Sequence, residues 1–563
     1  MPDATLRGLA DEYWDAFLEA TPTYATLIGD RRFDDRIEDL SVEAEQRQRA
    51  TWERLRGRVA GLDPSTLDRA DRVTAGLLDE ELKRGIDYID HKIVEQSWDQ
   101  MAGVHVDLML VPSEYNAPTP ENAEKLVERF RQIPTVVAQA VDRWRMALAQ
   151  GRTPPRVAVE RSLNMIDGYL ASPVEDDPYT KIPGPDDWDG EGAWREQLVE
   201  VTRDAIRPAF QQLRDVFADE LAPVVRSDEQ SGLQWIPGGP EQYQMLVRQH
   251  TSLDLDPADV HATGMAEVTE KLPAEYAEVG QRLFGLTDES EIFERVRTDP
   301  TLRYDTADEI MADARRCLDA ALAVMGEWFG RLPMADCELK PVPEYAAADS
   351  PGAYYFPPAA DGSRPGTYYV NLHEPSQKTR YDAAAIAYHE AIPGHHLQLA
   401  IASELPDLPA FQRLSLFHTA YAEGWGLYSE RLAEEMGLYE TDLNRIGMLT
   451  ADSLRSCRLV LDTGLHTMGW SRQQAIDFMA AHAPMSVEEI AIEVDRYIVY
   501  PGQALAYKIG QREIFRLRED AKRRLGGGFD IKGFHDTVLG SSLVTMPILG
   551  SLVDDWVTSL EPS

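Results

Sequence analysis

Residues 388–398 read YHEAIPGHHLQ and hold three of the twelve histidines in this chain of 563 residues. The first of them, His389, is followed directly by the carboxylate Glu390. Ala385 and Ile386 precede His389 at helical spacing, so the pattern predicts a helix with His389 on its apolar, buried face. A group of imidazoles beside a carboxylate is suited to holding a divalent metal next to a base that deprotonates water.

The spacing of these histidines departs from H-E-x-x-H, in which two histidines at i and i+4 share one face of a helix. His395 and His396 stand at i+6 and i+7 from His389. Pro393 has no N–H to donate to the carbonyl of His389, and Gly394 permits unusual backbone angles. We therefore expect a bulge at this point that returns His395 towards His389. His396 is the alternative second ligand.

A third ligand is expected from the segment 421–430, which reads YAEGWGLYSE. Its Glu423 shares a helical stripe with three apolar residues, Leu416, Ala420 and Leu427. A carboxylate on an apolar stripe needs a partner, which is either a metal or an arginine. Glu430, two turns later, is an alternate ligand or an acceptor for a histidine N–H. Two imidazoles and one carboxylate favour a single zinc ion, with manganese or cobalt as alternatives.

The composition is that of a large folded protein, with 43% hydrophobic and 27% charged residues and a mean hydropathy of −0.37. The net charge of −40 is spread along the chain, which argues against partners such as nucleic acid or anionic membranes. Three scattered cysteines form no disulfide framework, and residues 1–7 do not resemble a signal peptide, so we expect a cytoplasmic protein. A homodimer is left open.

Helical periodicity covers most of the chain and predicts a mostly α fold. Capping boxes predict helix starts at Ser471 and Ser486, another helix begins behind Thr306, and Pro501 should interrupt the helix over 487–524. The segment 172–192 has the composition of a long loop, which we interpret as a surface loop, with a lobe boundary or a lid as alternatives. Aromatic and β-branched residues predict a small antiparallel sheet beside the histidines, with three strands and a turn: 342–345, 353–356, 367–372 and 361–366.

Four segments, YHEAIPGHHLQ, AYAEGWGLYSE, DTGLHTMGW and YPGQALAYKIGQ, together resemble a bacterial domain-of-unknown-function family with an H-E-x-x-P-G-H-H segment. That family is similar in fold to the Taq-type thermostable carboxypeptidases, which are gluzincin metallopeptidases. The resemblance implies one helical, two-lobed body over 1–563 around a deep cleft, with a catalytic core segment at 340–515. It also implies that His389 and His395 are the histidine ligands and that Glu423 is the glutamate ligand.

The resemblance further implies that Glu390 is the general base and that paired tyrosines polarise the scissile carbonyl. Tyr500 and Tyr507 are seven residues apart, a separation similar to that of the paired tyrosines in the family. The chemistry is suitable, because a phenol near the carbonyl can stabilise an oxyanion. His466 is a further candidate donor to the substrate. Each of these three residues can equally be an ordinary core residue.

Two arginines, Arg496 and Arg512, are candidates to anchor a substrate carboxylate, with salt bridges as the alternative. The expected function is zinc-dependent hydrolysis of peptides or small amides, carboxypeptidase-like by resemblance alone. Spacing does not separate exopeptidase from endopeptidase action. Two alternatives stay open: a metal-dependent hydrolase of non-peptide amides or esters, and a helical binding protein without turnover.

Overall fold

The computed structural model describes residues 4–347, 351–358, 364–414 and 418–561. The chain forms two compact units. The first consists of Met1–Gln242, Gly469–Arg472 and Ile498–Tyr500. The second consists of Tyr243–Met468, Gln473–Tyr497 and Pro501–Ser563.

The fold is mostly α, as predicted. The described ranges contain 26 α-helices: α1 (Ala4–Ala20), α2 (Pro22–Leu27), α3 (Val42–Ala60), α4 (Arg69–Asp90), α5 (Val104–Leu110), α6 (Pro120–Phe130), α7 (Ile133–Ala149), α8 (Arg156–Ala171), α9 (Glu191–Val201), α10 (Arg207–Val216), α11 (Gly239–Thr251), α12 (Pro257–Ala266), α13 (Leu272–Leu283), α14 (Glu289–Thr298), α15 (Ala307–Trp328), α16 (Glu344–Ala347), α17 (Asp382–Glu390), α18 (His395–Ser403), α19 (Ala410–Leu414), α20 (Thr419–Glu435), α21 (Asp442–Thr467), α22 (Arg472–His482), α23 (Val487–Val499), α24 (Leu505–Leu525), α25 (Ile531–Leu539) and α26 (Met546–Leu560). No helix in these ranges is long and apolar enough to cross a bilayer.

The sheet has three strands, β1 (Cys337–Pro341), β2 (Ala353–Phe356) and β3 (Gly366–Val370), in the order β1-β3-β2. β2 and β3 are antiparallel, as predicted, but β1 and β3 are parallel, so the sheet is mixed and the prediction of a wholly antiparallel sheet is wrong. The chain reverses between β1 and β2 and again between β2 and β3. β1 therefore runs in the direction of β3 and pairs with its other edge.

The first predicted strand, 342–345, is also wrong. Pairing ends where the Val342 N–H donates to the carbonyl of Val370. Pro343 follows and has no N–H to continue the ladder. The next residues form the single helical turn α16 instead. Two features of the sequence analysis, Leu416 and the turn residues 361–363, lie outside the described residues.

Several helix limits follow the sequence signals. Thr306 and Glu309 form a capping box at the start of α15, and Ser486 and Glu489 bond reciprocally at the start of α23. The helical pattern over 487–524 is interrupted around Pro501, between the end of α23 and the start of α24. The predicted loop 172–192 corresponds to the connection 172–190 between α8 and α9, which contains short 3₁₀ turns, while its last two residues begin α9.

The core of the first unit is built mainly by α6 to α10, which bury large side chains such as Trp144, Trp194 and Phe210. In the second unit, α20 packs closely against α24. A Cβ on Gly510 would lie 1.9 Å from the carbonyl oxygen of Ala420, so only glycine permits this approach of the two helices. This packing places the segment 421–430 beside the start of α24.

Candidate metal centre

The turn between α17 and α18 returns the chain on itself. α17 ends at Glu390, and α18 begins at His395. A Cβ on Gly394 would lie 1.8 Å from the carbonyl oxygen of His389, so a side chain here would prevent the return. The rings of His389 and His395 consequently lie 4.9 Å apart between centroids and are nearly perpendicular, at 89°. The expected return of His395 towards His389 is confirmed.

Three side chains converge at this turn. Nε2 of His389 and Nε2 of His395 each lie 3.5 Å from Oε2 of Glu423, which α20 contributes. One ligand atom from each residue lies within 4.8 Å of the others. Two ligands of a tetrahedral zinc ion are about 3.3 Å apart when bonds are about 2.0 Å long, so these residues fit zinc in both chemistry and spacing.

Glu430 forms a hydrogen bond with the ring nitrogen of His389 that does not face Glu423. Nδ1–H of His389 donates to Oε1 of Glu430 at 2.7 Å, which leaves Nε2 as the nitrogen that faces Glu423. Arg455 lies 3.7 Å from the same carboxylate oxygen. A Cβ on Gly426 would lie 2.6 Å from Cε1 of His389, so this glycine makes the space for the ring. Of the two roles considered for Glu430, the geometry favours that of an acceptor.

The electrostatics of the cluster favour cations. Burial works against a charged His389, but its contacts with Glu423 and Glu430 outweigh burial and raise the pKa of His389 to about 9. Burial also works against a charged Glu423, yet hydrogen bonds with His389 and His395 hold its pKa well below the usual range. The cluster therefore carries an ionised carboxylate, and a metal that binds here displaces a proton from His389.

Glu390, the candidate base, lies at the end of α17. The backbone N–H of Tyr355, in β2, donates to its Oε2 at 3.2 Å. His396 turns to the same strand, where its Nδ1 shares a hydrogen bond of 2.9 Å with the Tyr355 hydroxyl. Burial lowers the pKa of His396 to about 4. The sheet thus lies next to the cluster, as predicted, and it is His395 that joins the cluster.

Tyr507 lies beside the cluster and is surrounded by arginines. Its ring stacks on that of His389, with centroids 6.4 Å apart. The guanidinium of Arg458 lies over the Tyr507 ring, 4.5 Å from its centroid. The guanidinium of Arg455 lies 5.8 Å from the same centroid. Nη2 of Arg496 donates to the Tyr507 hydroxyl at 3.3 Å.

His466 has a core position. It is fully buried, its Nε2–H donates to the carbonyl of Tyr497 at 2.9 Å, and its ring stacks on Tyr243. That nitrogen is engaged by the backbone and does not face a substrate site. We therefore assign His466 no part in the chemistry.

The remaining candidates differ in their surroundings. Tyr500 belongs to the first compact unit, whereas the cluster belongs to the second. Nη1 of Arg512 pairs with Oε1 of Glu267 at 2.5 Å. This arginine therefore forms an ordinary salt bridge, which was the alternative to anchoring a substrate carboxylate. Arg496 has a longer ion pair, 3.8 Å with Glu493, and also lies beside Tyr507.

Three residues near the cluster, Tyr355, Arg455 and Arg458, were not singled out from the sequence. Arg458 had a usable signal, because it interrupts the apolar stretch 457–461 and an arginine there needs partners. It finds them in the Tyr497 hydroxyl and the Glu493 carboxylate. Tyr355 acts through its backbone N–H, which the identity of the side chain does not reveal.

Loss of the Glu430 carboxylate is expected to weaken metal binding. Glu430→Gln keeps the shape of the side chain but removes the negative charge behind His389, so zinc affinity should fall by about 10- to 100-fold. Competition with a chromogenic chelator measures this affinity. Glu434→Gln is the matched control, because Glu434 lies on the same helix and pairs with Arg445. Equal zinc affinity of the two variants would contradict a supporting role for Glu430.

Residues 22–553 match the family described as "Bacterial protein of unknown function (DUF885)". The structure resembles that of a "putative lipoprotein from Colwellia psychrerythraea", with a TM-score of 0.90 and 26% sequence identity over 99% of both chains. It also resembles a "putative lipoprotein of unknown function from Shewanella oneidensis", with a TM-score of 0.75 and 20% identity over 98% of this chain and 100% of the other, a likeness of fold alone. No curated protein matches the chain. Because the family match spans nearly all of its length, this protein belongs to the DUF885 family of bacterial proteins of unknown function.

Proposed function

We propose that this protein is a zinc-dependent peptide hydrolase with carboxypeptidase-like specificity. The observation that carries the proposal is the convergence of His389, His395 and Glu423, whose ligand atoms lie within 4.8 Å of one another. The next residue after His389 is a carboxylate, Glu390, which suits a general base beside a metal. The resemblance to the Taq-type carboxypeptidases supports the same reaction class.

Zinc, when bound, supplies a Lewis acid that acidifies water and polarises a carbonyl group. The side chains of the chain supply the rest of the chemistry. Glu390 accepts the proton of the attacking water and passes it to the leaving amine. The N–H of Tyr355 holds one carboxylate oxygen of Glu390 and orients it. The Tyr507 hydroxyl, beside His389, donates to the oxyanion as it develops.

The edge strand β2 suits an extended peptide. The Asn371 N–H donates to the carbonyl of Gly352. In an antiparallel pair every second residue bonds to the partner strand, so Gly352, Tyr354 and Phe356 direct their backbone groups to β3. The backbone groups of Ala353 and Tyr355 therefore point away from β3. The Tyr355 N–H follows this pattern by reaching Glu390. A substrate strand that pairs along this edge would pass beside the general base.

The arginines around Tyr507 suit a substrate carboxylate. Nη1 of Arg458 and Nε of Arg496 are buried, and neither has a hydrogen-bond partner among the described residues. Glu493 balances part of the charge through contacts of 2.8 Å with Arg458 and 3.8 Å with Arg496. Arg455 adds a third guanidinium. A carboxylate that binds here can satisfy such donors, which favours the free C-terminus of a peptide.

Peptides with a free C-terminal carboxylate are expected to be hydrolysed, whereas the same peptides with a C-terminal amide are hydrolysed at least about tenfold less efficiently. The assay uses protein stripped with a chelator and restored with zinc, and it measures kcat/KM. Small non-peptide amides and esters form the comparison set. Preference for that set over peptides, or activity that survives removal of the metal, would overturn the proposal.

Arg496→Gln tests whether this arginine binds the C-terminal carboxylate of the substrate. Arg512→Gln is the matched control, because Arg512 pairs with Glu267. We expect the first variant to raise KM for free-acid peptides about tenfold and to abolish the preference over amides. The control variant keeps both. A common effect of the two variants would point to general electrostatics rather than to carboxylate recognition.

The cellular location is a separate proposal. We propose the cytoplasm, because the thiols of Cys317, Cys337 and Cys457 are all free. The Colwellia psychrerythraea protein is described as a "putative lipoprotein", which favours the cell envelope instead. Immunoblots of cytoplasmic and envelope fractions separate the two. Recovery in the envelope fraction would overturn the cytoplasmic proposal.

A further inference from the structure

The first unit contains a cavity that the proposed hydrolysis does not use. Its volume is about 370 Å³, within the range of small-molecule sites. Residues of α2, α4, α5, α6 and α7 and of the segments between helices form its wall, which is mainly apolar and includes Leu27, Ile37, Tyr88, Val104, Ile133 and Val136. Leu27 and Tyr88 are 42% and 36% exposed, so apolar surface continues to the solvent-facing part of this wall.

Three charged residues line this cavity: Glu38, Asp107 and Arg129. Arg129 directs its Nη atoms to neutral oxygens, the hydroxyls of Tyr115 and Thr26 among them. It forms no ion pair among the described residues. Arg129 keeps its positive charge, but the two carboxylates outnumber it, so the charged groups of the lining sum to a negative charge that an apolar ligand with a positive group complements.

The two carboxylates differ in their contacts. Glu38 accepts the backbone N–H of Thr23 at 3.0 Å and its hydroxyl at 2.8 Å. Asp107 has no hydrogen-bond or ion-pair partner in the part of the chain that the structure describes. Asp107 is exposed, but neighbouring protein removes part of its hydration, and together with the nearby Glu38 and Asp99 this raises its pKa to about 6. A cation that binds near Glu38 and Asp107 relieves this repulsion, and it displaces no hydrogen bond or ion pair of Asp107.

We propose that this cavity binds a small amphiphilic cation, namely an apolar chain or ring of about eight carbon atoms that carries a primary ammonium group. The apolar wall receives the carbon body. Asp107 and Glu38 accept the ammonium hydrogens. An anion of the same shape is repelled by both carboxylates, and a neutral alcohol forms only the weaker, uncharged hydrogen bond.

Isothermal titration calorimetry of the full chain with octylamine, octanoate and 1-octanol tests the proposal, because these probes share one carbon body. All are used at neutral pH and below the concentrations at which they aggregate. We expect one octylamine per chain, bound at least about tenfold more tightly than either of the others. Octanoate or octanol binding as tightly as octylamine would overturn the proposal.

The net charge of −40 attracts any cation, so variants must separate the cavity from this general effect. Asp107→Asn should weaken octylamine binding at least about tenfold, and Glu38→Gln should do the same. Asp142→Asn is the matched control, because Asp142 is an exposed carboxylate of the same unit that does not line the cavity. Asp107 holds no partner, so its variant should fold even if that of Glu38 does not. Equal octylamine affinity in the Asp107 and Asp142 variants would overturn the site.

A peptide N-terminus carries the same ammonium group as a free amine. Leucyl-leucinamide and its N-acetyl derivative, titrated with a chelator present, distinguish these sources. Binding of the first but not the second identifies a peptide N-terminus, and binding of octylamine alone identifies a free amine. Leu27→Trp, which fills the exposed part of the wall, should abolish binding of whichever probe is accepted. Retained binding in that variant would place the ligand elsewhere.

Discussion

Glu390→Gln is expected to lower kcat for peptide hydrolysis by about 10²- to 10⁴-fold while zinc stays bound. Glutamine keeps an oxygen that can accept the N–H of Tyr355, so the position of the side chain is preserved. It cannot accept the proton of the attacking water or return one to the leaving amine. Steady-state kinetics of the zinc-restored protein measure the loss.

The metal content of the same preparation is the control. Because Glu390 is not one of the three converging ligands, elemental analysis should find the same zinc content in variant and parent. A variant that has lost zinc would not test the base, and Glu390→Asp then does so with the charge retained. Full activity of the glutamine variant would remove Glu390 from its assigned role.

His395→Ala is expected to lose the metal, whereas His396→Ala keeps it. Nε2 of His395 lies 3.5 Å from Oε2 of Glu423, but Nδ1 of His396 is bonded to the Tyr355 hydroxyl. Removing one of three protein ligands leaves two, too few to hold zinc firmly. Zinc per chain after dialysis against a weak chelator is the measurement, and Glu423→Ala should behave like His395→Ala.

The His396 variant should show a different defect. It leaves the hydroxyl of Tyr355 without its partner and creates a cavity, which should lower the free energy of unfolding by about 1–3 kcal/mol. Urea denaturation measures this loss. If His396→Ala releases zinc and His395→Ala does not, the assignment of the second ligand is reversed.

Much of the helical framework could be predicted because its signals are local. Thr306 and Ser486 cap helices through residues three positions away, and Pro501 interrupts a helix through its own missing N–H. These interactions depend on neighbours in the chain. The sheet could not be predicted in the same way, since the direction of β1 relative to β3 depends on how the chain reverses between them.

The candidate site was predictable in its residue types but not in its arrangement. His389 and Glu423 stand out because charged or imidazole groups on apolar faces need partners, and Glu390 stands out because it directly follows His389. The choice between His395 and His396 depended on the turn at Gly394, where the backbone of His389 leaves no room for a side chain. The placements of His466 in the core and of Arg458 beside Tyr507 depended on helices distant in sequence.

The sequence by itself determined which groups are available for chemistry: two imidazoles and two carboxylates, in segments with helical periodicity. The tertiary structure decided which of these groups meet. The physical reason is that the packing of α17 and α18 against α20 brings together residues about thirty positions apart, and this packing depends on close backbone and ring contacts at glycines such as Gly394 and Gly426. The spacing of residues along the chain does not predict such contacts.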